Sequence, residues 1–86
     1  MFIDSMKKKR DYVFDEMLKM GWDDRNFITE QEIMDRWRID KPRTMRELIY
    51  GNNAKGVKLP CLRITNKARR FRPSDVLEFE YEVLDW

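Results

Sequence analysis

The sequence predicts a small α+β fold, mainly α: four helices and one two-stranded hairpin in a single compact unit. Three observations carry this expectation. Apolar residues recur at helical spacing in several short segments, with polar connectors between them. One stretch, Leu62-Arg63-Ile64-Thr65, instead alternates apolar and polar with a period of two. Capping and stop residues (Thr29, Pro42, Gly51, Pro73) bracket these segments where helices and strands should begin and end. With 86 residues, 42% of them hydrophobic and 13% aromatic, the chain has enough apolar surface for one core and no more.

The first helix is expected from about Ser5 to Met20, with Ser5 as its cap, Val13, Met17 and Met20 on one face, and Gly21 as its stop. Its start, Lys7-Lys8-Lys9-Arg10, has the wrong sign for the helix dipole and reads as a solvated end. After a polar connector comes Ile28-Thr29-Glu30-Gln31-Glu32-Ile33. Here Thr29 and Glu32 have the spacing of a capping box, and Ile28 and Ile33 that of a hydrophobic staple. This second helix should reach Trp37, with Ile33 and Trp37 turned to the core. Arg38-Ile39-Asp40 reads as a turn. Asp40 is the expected cap of a third helix with Pro42 in its first turn and Met45, Leu48 and Ile49 as its inner stripe.

Leu62 and Ile64 then read as the inner face of a half-buried strand, Asn66-Lys67 as the turn, and Phe71 as the inward residue of the returning strand. Pro73 ends that strand. Ser74 is expected to cap a last helix, with Asp75 favourable in its first turn. The apolar residues from Val76 to Trp86 exceed one helix face, which points to central packing or to a partner. The order of elements is that of a winged helix-turn-helix: residues 1–26 as an N-terminal helical extension, and residues 27–86 as the winged domain.

Charge is partitioned along the chain. Residues 36–72 hold 12 basic side chains against 2 acidic ones, a net of +10, whereas residues 73–86 hold 5 acids and no base. A central basic block of that density is a candidate polyanion footprint. Other functions are disfavoured. There is no histidine, only 3 glycines, and no acid cluster spaced around a metal; Asp23-Asp24 and the Glu78-Glu80-Glu82 series read as exposed acids. Neither an enzyme nor a bound cofactor or metal is expected. The lone Cys61 needs no oxidising compartment, and no apolar run has membrane-spanning length. A cytoplasmic protein is expected.

Five motifs in order resemble a known family. They are Ile28-Thr29-x-x-Glu32-Ile33, Arg43-Thr44 followed by Leu48-Ile49, Gly56-x-x-Leu59-Pro60, Arg63-Ile64, and Arg70-Phe71-Arg72-Pro73-Ser74-Asp75-Val76. Over about residues 27–80 the chain resembles the phage-type excisionase and MerR-like winged helix-turn-helix DNA-binding domains. It departs from them in the turn before Arg43, which is one residue longer, with Arg38 where a small residue, often Gly, is common. The Ile49-to-Leu59 connection is also long.

The resemblance implies a DNA-binding role in recombination or transcription control, of the kind mobile elements encode. The third helix would enter the major groove. Arg43 and Arg46 would meet base edges, Lys41, Thr44 and Tyr50 phosphates or thymine methyls, and Glu47 would lie on the same face. The wing would bring Arg63, Asn66, Lys67, Arg69, Arg70 and Arg72 to the adjacent minor groove or its phosphates. Arg63, Arg70 and Arg72 are also placed to pair with the acids of the last helix, and Tyr50 to pack beneath the wing. Double-stranded DNA is the expected partner, together with a recombinase or a second copy bound on DNA. The alternative is a protein-interaction module on the same scaffold without direct DNA reading.

Overall fold

The computed structural model describes residues 2–65 and 68–84. Four helices and a three-stranded antiparallel sheet form a small, mostly helical α+β unit: α1 (Phe2–Met20), β1 (Ile28–Thr29), α2 (Glu30–Trp37), α3 (Pro42–Ile49), β2 (Leu62–Arg63), β3 (Arg69–Phe71) and α4 (Pro73–Phe79). A π-helical turn over Glu80–Leu84 continues α4. No helix among the described residues is long and apolar enough to cross a membrane.

Three helices stop in the same way, and the sequence shows why for two of them. After α1, the amide of Gly21 donates to Leu18 (3.3 Å) and that of Trp22 to Met17 (2.9 Å). After α3, Gly51 donates to Leu48 (3.3 Å) and Asn52 to Glu47 (2.9 Å). This pattern needs a left-handed residue at its centre, which glycine adopts without steric cost; Gly21 has φ 67° and Gly51 φ 85°. After α2 the same two bonds recur, from Arg38 to Asp35 (3.4 Å) and from Ile39 to Met34 (2.9 Å). There the left-handed residue is Arg38, at φ 56°. A side chain therefore occupies a position that sterics reserve for glycine.

The helix starts were less legible. Thr29 forms the expected capping box with Glu32: its hydroxyl accepts from the Glu32 amide (3.1 Å) and its amide donates to the Glu32 carboxylate (3.2 Å). Asp40 does not cap α3. The N-cap is Lys41, without a side-chain bond, because Pro42 takes the first helical position. α1 begins at Phe2, so Ser5 lies within the helix rather than at its cap. Ser74 is likewise inside α4, whose N-cap is Arg72. Its amide donates to the Asp24 carboxylate at 2.9 Å, so the cap arrives from 50 residues upstream.

The sheet differs from the expected hairpin by a strand. β3 is central, with β1 and β2 antiparallel on its two sides; Ile28 faces Phe71, while Leu62 faces Arg70 and Arg63 faces Arg69. This register corrects the burial expected for the strand. Directly opposed residues share a face, so Leu62 lies with Arg70 on the side away from Phe71. Leu62 and Ile64 are accordingly 54% and 57% exposed, and Phe71 is fully buried. Thr65 and Ala68 close the connection through Ile64 N–H to the Ala68 carbonyl (3.0 Å) and Ala68 N–H to Thr65 Oγ1 (3.0 Å). The expected turn at Asn66-Lys67, like Trp86, lies outside the described residues.

The core joins Ile28, Ile33, Met34, Trp37, Met45, Ile49, Leu59, Phe71, Val76 and Phe79. Trp37 stacks on Phe79 with ring centroids 5.7 Å apart. Met45 is fully buried and Ile49 nearly so, each contributing about 1.5–3 kcal/mol of burial to hold α3 on the core. α1 packs along α4 and its π-helical continuation.

Candidate nucleic-acid interface

α3 is only eight residues long, yet it is sharply two-sided. Met45 and Ile49 point inward, while Lys41, Arg43, Thr44, Arg46, Glu47 and Tyr50 are all exposed, as their spacing predicts. The Arg43 side chain is 85% exposed, and its nearest acid is Glu47 one turn on, at 3.7 Å. An i, i+4 pair in full contact with water is weak, so Arg43 keeps most of its charge available.

The strand residues divide by face. Arg69 and Phe71 lie two apart on β3 and share the side toward the core. Arg70 takes the other side with Thr29 and Leu62. Arg69 is therefore drawn in: its side chain is 17% exposed, 3.8 Å from the Glu30 carboxylate, and it donates to the Tyr50 hydroxyl at 3.4 Å. Tyr50 itself stays 54% exposed at the end of α3. Arg70 is half-buried and donates to the Arg69 carbonyl at 3.0 Å. Arg63, directly opposite Arg69, is exposed. Arg72 is exposed at the end of β3 and binds Asp75 at 2.9 Å, which raises the guanidinium pKa through that hydrogen bond. Of the wing residues read from the sequence, Asn66 and Lys67 lie outside the described residues. α3 and the β2–β3 pair thus meet at Arg69 and Tyr50, bringing exposed Arg43, Arg46 and Arg63 onto connected elements.

α1, α2 and the turn that continues α4 share a buried ionic cluster that the sequence concealed. Glu80, read as exposed, is 0% exposed. Its carboxylate accepts from Arg36 Nε and Nη2 (2.7 Å each), from Trp37 Nε1 (2.7 Å) and from the Tyr12 hydroxyl. Arg36 Nη2 also donates to Glu16 (2.8 Å), and its guanidinium lies 5.5 Å above the Trp22 ring. Arg36 gains basicity, first through Glu80. The same guanidinium holds Glu16 below the usual carboxylate range. Burial and the bond to Glu80 push Tyr12 up to about 12. A signal for Glu80 was present: Val76, Leu77, Glu80, Val83 and Leu84 follow the i, i+1, i+4, i+7, i+8 rhythm of one helix face, and the two-residue spacing of the three glutamates obscured it.

Lys9 reaches the Glu82 carboxylate, and Lys55 the Glu82 carbonyl, so one lysine of the N-terminal basic run is held in place within the fold. Among the described residues no group of three Cys, Asp or Glu side chains gathers to hold a metal. Comparisons of the chain with protein-family models, with curated proteins and with solved structures returned no match.

Proposed function

We propose that the chain is a cytoplasmic DNA-binding protein of excisionase or regulator type, built as a winged helix-turn-helix. α3 enters the major groove, and the β2–β3 pair lies along the adjacent minor groove or its phosphates. One observation carries this reading: the outward face of α3 leaves Lys41, Arg43 and Arg46 exposed, while many of the acids elsewhere are bound to bases within the fold. A basic helix face beside a basic strand pair suits the phosphate backbone, and Arg43 and Arg46 have the reach for guanine O6 and N7. The antiparallel sheet joining β1 to the β2–β3 pair supports the layout.

Fluorescence anisotropy with a labelled duplex over a salt series tests the proposal. With five or six phosphates neutralised, log K falls against log salt with a slope of roughly −5. Arg43→Ala combined with Arg46→Ala abolishes specific binding. Absence of duplex binding by the wild type at low salt would sink the proposal. An integrase encoded beside the chain would favour excision over transcription control.

A protein-interaction module is the second reading. It is favoured by Phe14 and Leu18, one turn apart on α1 and 63% and 67% exposed. On that reading Phe14→Ser with Leu18→Ser abolishes partner capture, and no salt-dependent duplex binding is seen.

A further inference from the structure

Resting on the DNA-binding reading, we infer that Arg69 is a positioning residue that latches the β2–β3 pair to α3, and that it does not itself neutralise phosphate. Its place on β3 dictates this. Arg69 shares the core-facing side with Phe71, so its side chain runs inward over the rim of the core and is 17% exposed. Two groups on two other elements meet it there: the Glu30 carboxylate, at the first position of α2, and the Tyr50 hydroxyl, at the end of α3.

The sheet register supplies an independent reason for the latch. Arg63 and Arg69 are directly opposed across β2 and β3, an arrangement of like charges that destabilises a strand pair. Turning Arg69 to Glu30 relieves that repulsion. It leaves Arg63 as the member of the pair that faces solvent and can meet a phosphate. The two arginines therefore divide the work, one fixing the angle between the strand pair and α3 and the other carrying charge outward.

The proposal inverts the usual sign of a charge substitution. Removing an acid near a polyanion site ordinarily tightens binding, because it removes repulsion. Glu30→Gln instead loosens the latch and weakens duplex binding about fivefold or more, as Arg69→Gln does. In both variants the salt slope stays at the wild-type value, since no phosphate contact is lost. Arg63→Gln, by contrast, lowers the magnitude of the slope by about 0.9.

A second readout needs no DNA. Amide exchange at Ile64 and Thr65, whose N–H groups bond the Ala68 carbonyl, accelerates in Arg69→Gln and Glu30→Gln, while Met45 and Ile49 keep their wild-type protection. A slope reduced by about 0.9 in Arg69→Gln, or tighter binding by Glu30→Gln, would overturn the assignment. So would unchanged exchange at Ile64 and Thr65. Loss of the DNA reading is distinguishable, because the wild type would then bind no duplex while the exchange result still decides for or against the latch.

Discussion

Glu80→Ala is the substitution to which the fold should be most sensitive. The carboxylate is wholly buried and serves three elements at once: Arg36 and Trp37 of α2, Tyr12 of α1, and α4, whose C-terminal end it occupies. Truncation leaves the Arg36 guanidinium, 14% exposed, with Glu16 as its remaining acid, and strips the Trp37 indole N–H of its acceptor. Breaking a buried pair by removing one partner costs about 3–5 kcal/mol, because the surviving charge is stranded. A domain of this size has about 5–15 kcal/mol of stability in all. At 4–8 °C per kcal/mol, the midpoint should fall by roughly 12–40 °C. Thermal and urea melts followed by circular dichroism measure the loss. Glu82→Ala is the control: that side chain is 42% exposed and its pair with Lys9 sits at the surface, so less than about 1 kcal/mol is expected. A double-mutant cycle between Arg36 and Glu80 should give a coupling of at least about 1 kcal/mol. A Glu80→Ala variant within about 1 kcal/mol of wild type, or strictly additive effects in the cycle, would refute the reasoning.

Three further outcomes follow from single positions. Arg38→Gly should raise stability by about 0.5–1 kcal/mol in urea melts, since it relieves a left-handed side chain at φ 56° at some cost in unfolded-chain entropy; a loss of stability would contradict this. Asp24→Ala should cost about 1 kcal/mol by uncapping α4, whereas Ser74→Ala should be nearly neutral, and chemical denaturation of the two variants ranks them. Tyr12 should ionise near pH 12 in an absorbance titration, and Tyr12→Phe should remove that late step. The folded pKa is raised, so the stability this phenol contributes is complete below its unfolded value near 10 and fades as pH rises from there toward 12.

What could be read in the sequence was whatever local chemistry decides. The Thr29–Glu32 box, the Gly21 and Gly51 stops and the inward positions of Ile33, Trp37, Met45, Ile49 and Phe71 each follow from a few neighbouring residues. What escaped depended on distant segments. Ser74 has the chemistry of a cap, but the helix already begins at Pro73, so Ser74 lies inside it and its amide donates to the distant Asp24. Leu62 and Ile64 alternate like an inner face, but pairing register across β3 turns Leu62 outward. β1 was invisible because two residues make no pattern, and they form a strand only where β3 offers an edge. On the candidate interface, the exposed face of α3 was legible from helical spacing. The inward turn of Arg69 was not separated from its basic neighbours, although its spacing from Phe71 already implied it.

The buried cluster and the basic face are two consequences of one charge distribution. A surface meant for a polyanion must keep its cations from being neutralised by the protein's own acids, yet the acids of the last helix follow β3 directly in the chain. Three of those acids are paired within the fold. Glu80 turns inward to Arg36, Glu82 turns to Lys9, and Asp75 holds Arg72, the cation immediately before the helix. Arg36 is itself the first base of the central block and is consumed by Glu80 and Glu16, so the block's charge overstates what faces solvent. Lys41, Arg43 and Arg46 at α3 and Arg63 on β2 are among the cations left outward, Arg43 with only the water-exposed Glu47 beside it at 3.7 Å. Internal pairing therefore does more than stabilise. By tying α1, α2 and α4 together it occupies acids that would otherwise offset the positive charge on α3 and the strand pair, where the proposed duplex would lie.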